Sequence, residues 1–281
     1  MESWAWGNPR KGATVQTHTA IGLADVQAVY DGPEGDLWEL VMGEQIHIGG
    51  LSSSMDLADR AAISEGSSGV DLCCCNGAGM RFLVRFRNVA HMTGVDATER
   101  VVMRGRRRTE EEGLTGRIDF VVGDATRTGL PDATADFVWG EDAWCYVEDK
   151  ANLIAEAARL IRPGGKIAFT DWLAGPEPMS GEESERYLSF MKFPNVLELD
   201  EYRALLEECG CRVEVAEDTG RFPSHVDLYL DMLNMQLTYD ALKLIGFDAD
   251  LMQAMGGEMG LVAQLAHERK ISQGRFVATK A

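Results

Sequence analysis

The sequence has no apolar run approaching the roughly 18–20 residues that a bilayer-spanning helix needs. Its opening residues, Met1 to Gly7, lack a basic start followed by an apolar core. No secretory signal is therefore expected, and the expected setting is the cytoplasm. Cationic residues are scarce: 27 Lys and Arg stand against 45 Asp and Glu, a formal net charge of -18. That balance argues against nucleic acid or an anionic membrane as partner. It fits a neutral, zwitterionic or cationic small molecule, and equally a plain self-repelling surface. The six cysteines, Cys73, Cys74, Cys75, Cys145, Cys209 and Cys211, contain no Cys-x-x-Cys pair and no zinc-type spacing with histidine, so no metal site is expected. In a reducing compartment they should stay thiols, most of them small buried side chains. Internal repeats and low-complexity linkers are missing too. So is a Gly-x-Gly-x-x-Gly run, which weighs against a dinucleotide oxidoreductase.

What is present is an alternation of short apolar runs and helical patterns. The 281 residues allow one large domain or a domain with an embedded lid. Residues 1–20 read as polar and irregular. Helices are expected over 21–30 and 36–42, then a glycine-flanked loop over 42–50 that contains His47, then a helix over 56–62. Strands are expected at 69–73, 91–96, 118–122, 135–140 and 166–171, with helices at 80–88, 98–112 and 150–161 between them. Arg162-Pro163-Gly164-Gly165 is a stop-and-turn signal. The rhythm breaks over 174–195, around a helix at 182–191. It resumes with a helix at 200–209 and a strand at 212–217. A second interruption, 221–272, holds two helical stretches before a last strand at 274–280. The basic cluster Arg104, Arg106, Arg107 and Arg108 is followed by Glu110, Glu111 and Glu112, which reads as a solvated helix face with i,i+4 pairs. These boundaries divide the chain into an N-terminal helical cap segment (1–62), a ligand-binding core (63–173) and a remainder (174–281) that completes the sheet and adds cap insertions.

The alternation implies a parallel sheet covered on both faces, whose strand C-termini share one edge. At that edge, Val70–Gly79 (Val-Asp-Leu-Cys-Cys-Cys-Asn-Gly-Ala-Gly) makes a strand, a small-residue turn and a helix start. Such a turn presents backbone N–H groups to a nucleotide-like ligand. Acidic residues recur at the strand ends. Asp71 precedes the turn, Asp96 ends the second strand, Asp124 follows the third, and Glu141 and Asp142 follow the fourth. A carboxylate at Asp96 can accept both hydroxyls of a ribose. Asp124, beside the Ala125 N–H, can read an adenine edge.

With these motifs the chain resembles class I S-adenosylmethionine (SAM) methyltransferases. The resemblance rests on Val70–Gly79, Gly94–Thr98, Val122–Ala125, Ala135–Ala143 and Glu156–Asp171, and covers roughly residues 68–172. Gly43–Gly49, Arg81–Arg85 and Trp139–Trp144 make it most similar to the sarcosine/dimethylglycine N-methyltransferases and related small-molecule enzymes. The resemblance implies a doubly wound, seven-stranded, mostly parallel sheet of Rossmann-like type, with an antiparallel last strand and a helical cap. It implies SAM as cofactor, S-adenosylhomocysteine as product, and a small-molecule methyl acceptor, best matched by an amine nitrogen. A homodimer is compatible with it. Cofactor contacts would fall on Asp71, Cys73, Cys75, Asn76, Gly77, Asp96, Ala97, Asp124, Ala125 and Glu141. His47, Asp142 and Trp144 would serve the reaction.

The departure lies in the turn. The family usually has glycine where Cys73 and Cys75 stand. Either the turn keeps ordinary dihedrals and the ligand sits farther out, or affinity falls, or the thiols take part in chemistry. The alternatives that remain are a thiol, metalloid, or apolar oxygen or carbon acceptor, and a non-catalytic SAM-binding regulator. Among the aromatics near the ligand edge (Tyr30, Trp38, Trp144, Tyr146 and Trp172), Trp144 and Trp172 are the two expected to face an acceptor. Arg221 and His225 could pair with an acceptor anion or lie on the surface. The methionines 232, 235, 252, 255 and 259 read as helix core or as an apolar acceptor wall.

Overall fold

The computed structural model of the protein describes residues 20–281, so all but the last residue of the irregular stretch expected over 1–20 lies outside the described residues. Seven strands form one sheet: β1 (Ser68–Leu72), β2 (His91–Asp96), β3 (Ile118–Val122), β4 (Ala135–Glu141), β5 (Ile161–Ala174), β6 (Cys211–Asp218) and β7 (Ile271–Lys280). Their order is β3-β2-β1-β4-β5-β7-β6. The first five pair in parallel, and β7 runs antiparallel between β5 and β6. This is the expected Rossmann-like methyltransferase architecture. The strand order reverses between β1 and β4, so a crevice opens at their C-terminal ends.

Each face of the sheet is covered by helices because the central strands are apolar on both sides. On one face, α6 (Lys150–Leu160) and α8 (Leu199–Glu208) bring Leu153, Ile154 and Leu206 into a core with Phe169 and Phe276. On the other, α3 (Gly50–Arg60), α4 (Ala78–Phe86) and α5 (Glu99–Glu111) bring Leu57, Leu83 and Val102 against Met92, Phe137 and Trp139. A third cluster joins α7 (Gly181–Met191), α9 (Phe222–Asn234) and α11 (Ala249–His267), with Tyr187, Phe222 and Val262 around Trp172 and Phe193. The helices α1 (Leu23–Asp31) and α2 (Pro33–Met42) cross the strand C-termini, and α10 (Thr238–Leu244) packs against α2.

Several boundaries differ from expectation for identifiable reasons. The helix expected at 56–62 begins at Gly50. Its first turns are serine-rich and show no apolar periodicity, yet Ser53 and Ser54 are buried. The strand expected at 166–171 runs on to Ala174, because β7 starts at Ile271 and pairs with β5 from there to Thr279. The segment 221–272 holds three helices, not two. Gly246 and Phe247, both at positive φ (69° and 60°), end α10, and the Asp248 side chain caps α11 by accepting from the Leu251 N–H at 2.9 Å.

The basic face of α5 is not the solvated face expected. Only Arg107 and Glu111 form an exposed i,i+4 pair. Arg100 and Arg104 reach Asp36 of α2 at 2.9 and 2.5 Å, Arg104 also reaches Glu39 at 2.8 Å, and Arg108 pairs with Glu39. Periodicity placed these arginines on one face of a helix. Only the tertiary fold sets an acidic helix opposite that face.

Candidate active site

The turn after β1 is built on left-handed backbone. Cys73 has φ 63°, Cys75 φ 47° and Gly77 φ 77°. The two cysteines therefore adopt the conformation that glycine would supply, which removes the alternative in which the turn keeps ordinary dihedrals. A non-glycine residue held there costs on the order of 1–3 kcal/mol. The turn is retained because its polar groups are over-determined. The Cys73 and Cys74 amides donate to the Val95 carbonyl at 2.8 and 3.1 Å, and the Cys75 amide donates to Asp96 Oδ2 at 2.9 Å. At Gly77 a Cβ would lie 2.5 Å from the Phe120 ring, so no side chain fits. Burial pushes the Cys73 thiol well up and the Cys75 thiol to about 12. Both remain protonated at neutral pH, which argues against a thiolate nucleophile.

Two adjoining cavities share Tyr30, Cys73, Cys75 and Ala143. The larger, about 260 Å³, has apolar walls from Leu23, Val26, Val101 and Val147, with Asp96, Ala97, Asp124 and Ala125 at its polar end. Asp96 Oδ1 accepts the Thr98 N–H at 2.8 Å and Oδ2 accepts the Cys75 N–H. The Thr98 side chain hydrogen-bonds this carboxylate as well. Asp124 Oδ1 accepts from the Thr126 N–H and hydroxyl at 2.8 and 2.7 Å, which fixes its loop. Glu148 and Asp149 line it too, and a cavity with apolar walls and carboxylates at Asp96 and Asp124 matches an adenosine. The residues present thus fit SAM.

The smaller cavity is lined by Glu44, His47, Asp71, Asn76, Glu141 and Asp142. A Cβ on Gly79 would fall 2.7 Å from Glu141 Oε2 and 3.5 Å from Asp71 Oδ2, so the helix start lies directly against both carboxylates. Burial first, then the charges of Glu141 and Asp96, hold the Asp71 carboxyl well above the usual carboxylate range. His47 is buried beside Glu141, with Nε2 at 3.3 Å from Oε1. The Ser54 hydroxyl donates to that same Oε1 at 2.6 Å and receives from Gln45 Nε2 at 2.9 Å. With its own proton committed, Ser54 can only accept at its 3.2 Å contact with His47 Nε2. In the neutral imidazole that places the proton on Nε2 and leaves Nδ1 with a lone pair. Nδ1 is buried and has no hydrogen-bond partner among the described residues.

Asp142 lies at φ 51° with its carboxylate already occupied. Oδ2 accepts the Ile48 N–H at 2.8 Å, and both oxygens accept from Gln273 Nε2. It lines the cavity yet serves chiefly to anchor the 43–49 loop. Trp144, expected to face the acceptor, does not. It is fully buried, stacks on Phe169 at 4.1 Å, donates to the Leu72 carbonyl at 3.2 Å and lines neither of the two cavities. Trp172 is likewise in the cap core, edge-on to Phe222 at 4.6 Å. The tyrosines expected to be ordinary cap packing are instead at the cavities: Tyr30 lines both and Tyr146 the larger one. Arg221 is paired with Asp56, and the methionines of α9 and α11 line neither of the two cavities. Sequence reasoning did not find Ser54 or Gln273. Their segments carry no motif, and only the fold brings them to Glu141 and Asp142.

Residues 70–169 match the family described as methyltransferase domain. Over 201 residues the chain is 32% identical to 27-O-demethylrifamycin SV methyltransferase of Amycolatopsis mediterranei, covering 66% of this chain and 74% of that one. It is 32% identical over 217 residues to dimethylglycine N-methyltransferase of Parasynechococcus marenigrum, covering 70% and 76%. The structure also resembles Haemonchus contortus phosphoethanolamine N-methyltransferase 2, solved with phosphomonomethylethanolamine and S-adenosylhomocysteine, at TM-score 0.80 and 19% identity. That likeness covers 90% of this chain and 58% of the other. The chain therefore belongs to the class I SAM-dependent methyltransferases, in the group that includes the sarcosine/dimethylglycine enzymes. It is a SAM-dependent enzyme acting on a small molecule. The relatives named methylate different atoms, so the acceptor atom is not shared among them. Among the described residues, no helix is long and apolar enough to cross a membrane.

Proposed function

We propose that the enzyme methylates an amine nitrogen of a small acceptor held in the smaller cavity. The carrying observation is the chemistry of that cavity's wall: Glu44 is taken up by Arg81 at 2.7 Å, and the carboxyl groups of Asp71, Glu141 and Asp142 outnumber the one imidazole, His47, a setting that suits an amine better than an anion. The likeness to a dimethylglycine N-methyltransferase supports the same reading. SAM supplies an already activated methyl group. The protein's part is to align the acceptor lone pair with it and to exclude water.

Asp96 and Asp124 would hold the adenosine, with Ala97 and Ala125 against it. Asp71 and Glu141 would face the ammonium of the methionine end, with Asn76 and Gly77 shaping the turn. His47 Nδ1 would take the proton that an ammonium acceptor must lose, while Nε2–H stays on the Ser54–Glu141 pair. A cytoplasmic setting fits six unpaired cysteines.

The test is S-adenosylhomocysteine release from SAM with a panel of amines, phenols and thiols. Turnover on an amine, lost on His47→Ala, is the expected result. Turnover confined to the phenols or the thiols would overturn the amine reading.

A further inference from the structure

The family match ends at residue 169, yet one residue far beyond it holds Asp142, a residue of the smaller cavity's wall. Gln273 lies on β7, is fully buried, and uses its whole carboxamide. Nε2 donates to Asp142 Oδ2 at 2.8 Å, to Oδ1 at 3.0 Å and to the Ile48 carbonyl at 3.1 Å. Oε1 accepts the Thr219 hydroxyl at 2.8 Å. The amide orientation follows from chemistry. A carboxylate and a carbonyl can only accept, so the NH2 group must face them, and the hydroxyl is left to donate to Oε1.

Asp142 closes the arrangement by accepting the Ile48 N–H. Both backbone polar groups of Ile48 are thus held by the Asp142–Gln273 pair, and His47 is the preceding residue. The loop has other anchors on either side of His47: Asn76 Nδ2 donates to the Glu44 carbonyl at 3.1 Å, Arg81 pairs with the Glu44 carboxylate at 2.7 Å, Gln45 donates to Ser54, and Tyr229 hydrogen-bonds the Gly49 backbone. Glutamate at 273 would set a carboxylate against a carboxylate and a carbonyl. A methionine would fill the volume and leave the Ile48 carbonyl and part of Asp142 unpaired. Only a carboxamide of this length serves all four contacts.

We infer that Gln273 is a positioning residue for methyl transfer: through Asp142 and Ile48 it fixes the loop that carries His47 over the acceptor cavity. Its functional meaning rests on the reading of His47 as the proton acceptor, and the experiment separates the two. Gln273→Met, Gln273→Glu and the milder Thr219→Val are made in the full chain, and three quantities are measured. The first is SAM affinity by calorimetry. The second is hydrogen exchange of residues 43–49 by mass spectrometry. The third is the rate at which diethyl pyrocarbonate carbethoxylates His47.

With Gln273→Met we expect His47 modification and loop exchange to rise at least tenfold while SAM affinity stays within threefold, since Asp96 and Asp124 do not touch Gln273. Gln273→Glu should exceed it, and Thr219→Val should shift the same readouts less. Unchanged loop exchange in both Gln273 variants would overturn the inference. So would exchange accelerated equally through β5 and β7, which would mark general destabilisation. If the loop loosens as expected while His47→Ala keeps full turnover, the positioning stands and the proton-acceptor reading of His47 falls.

Discussion

The hydroxyl of Tyr30 donates to the hydroxyl of Tyr146 across 3.1 Å, and the two rings meet edge-on with centroids 5.7 Å apart. One tyrosine belongs to α1 and the other to the turn after β4, so this contact ties α1 and its neighbour α2, the lid whose Leu23, Val26 and Tyr30 wall the larger cavity, to the core where the two cavities join. Burial raises both phenols well above their ordinary range, so both keep their protons. The pair can hydrogen-bond but cannot serve as a phenolate base at neutral pH. Removing one hydroxyl should cost about 0.5–1.5 kcal/mol of lid closure, or roughly two- to twelvefold in SAM affinity. Tyr30→Phe and Tyr146→Phe should each show that loss by calorimetry. The double variant should lose less than the sum, because both singles break one bond. Full additivity would show that the tyrosines act independently.

The cysteines of the turn carry backbone strain that glycine would not. Cys73→Gly and Cys75→Gly remove roughly 1–3 kcal/mol of strain each. Glycine's greater freedom in the unfolded chain takes back about 0.4–1 kcal/mol. The strain term is larger, so each variant should melt a few degrees higher by calorimetry and keep turnover. Loss of turnover in both would point to a chemical role for the thiols, against the protonated state that burial imposes.

SAM binding should release a proton. In the free protein the Asp71 carboxyl is held well above its ordinary range, near 4, by burial and by the charges of Glu141 and Asp96. A ligand ammonium beside it favours the ionised form. Affinity should therefore weaken as pH falls through a window above the ordinary carboxylate range. Calorimetry in buffers of different ionisation enthalpy should report the released proton, and Asp71→Asn should abolish it. Equal proton release in that variant would assign the linkage to another group.

Salt should loosen the lid. Asp36 is held below the ordinary carboxylate range by Arg104 and Arg100, against the opposing pull of its own partial burial. These pairs join α2 to α5 at the surface, where screening is effective. SAM affinity should fall as ionic strength rises, and Asp36→Asn should weaken binding at low salt while flattening that dependence. A salt slope identical to that of the unaltered protein would remove the network from the lid's mechanism.

The cofactor half of the site was legible from local pattern. Strand, turn and helix recur with carboxylates at successive strand ends. Because parallel strands share one edge, Asp71, Asp96, Asp124 and Glu141 had to converge there whatever the packing details. The same local reasoning placed His47 on a ligand-side loop, since glycines flank it on both sides.

The acceptor half was not legible, and the reason is physical. Trp144 follows a strand end just as Tyr146 does, and Trp172 lies near the C-terminal end of β5. Which ring turns into the core depends on what lies across from it: Phe169 stacks against Trp144, and Phe222 and Phe193 enclose Trp172. The arginines of α5 read as solvated because the opposing acids on α2 are more than sixty residues away. Ser54 and Gln273 belong to segments with no motif, and their hydrogen bonds to Glu141 and Asp142 exist only across the fold. Periodicity and strand-end chemistry, which act between near neighbours, were enough to determine the sheet and the edge at which its carboxylates gather, and the motifs there carried the resemblance that implied SAM. The lid contacts, the imidazole tautomer and the clamp on its loop depend on pairs brought together by tertiary packing, so only the three-dimensional structure could decide them.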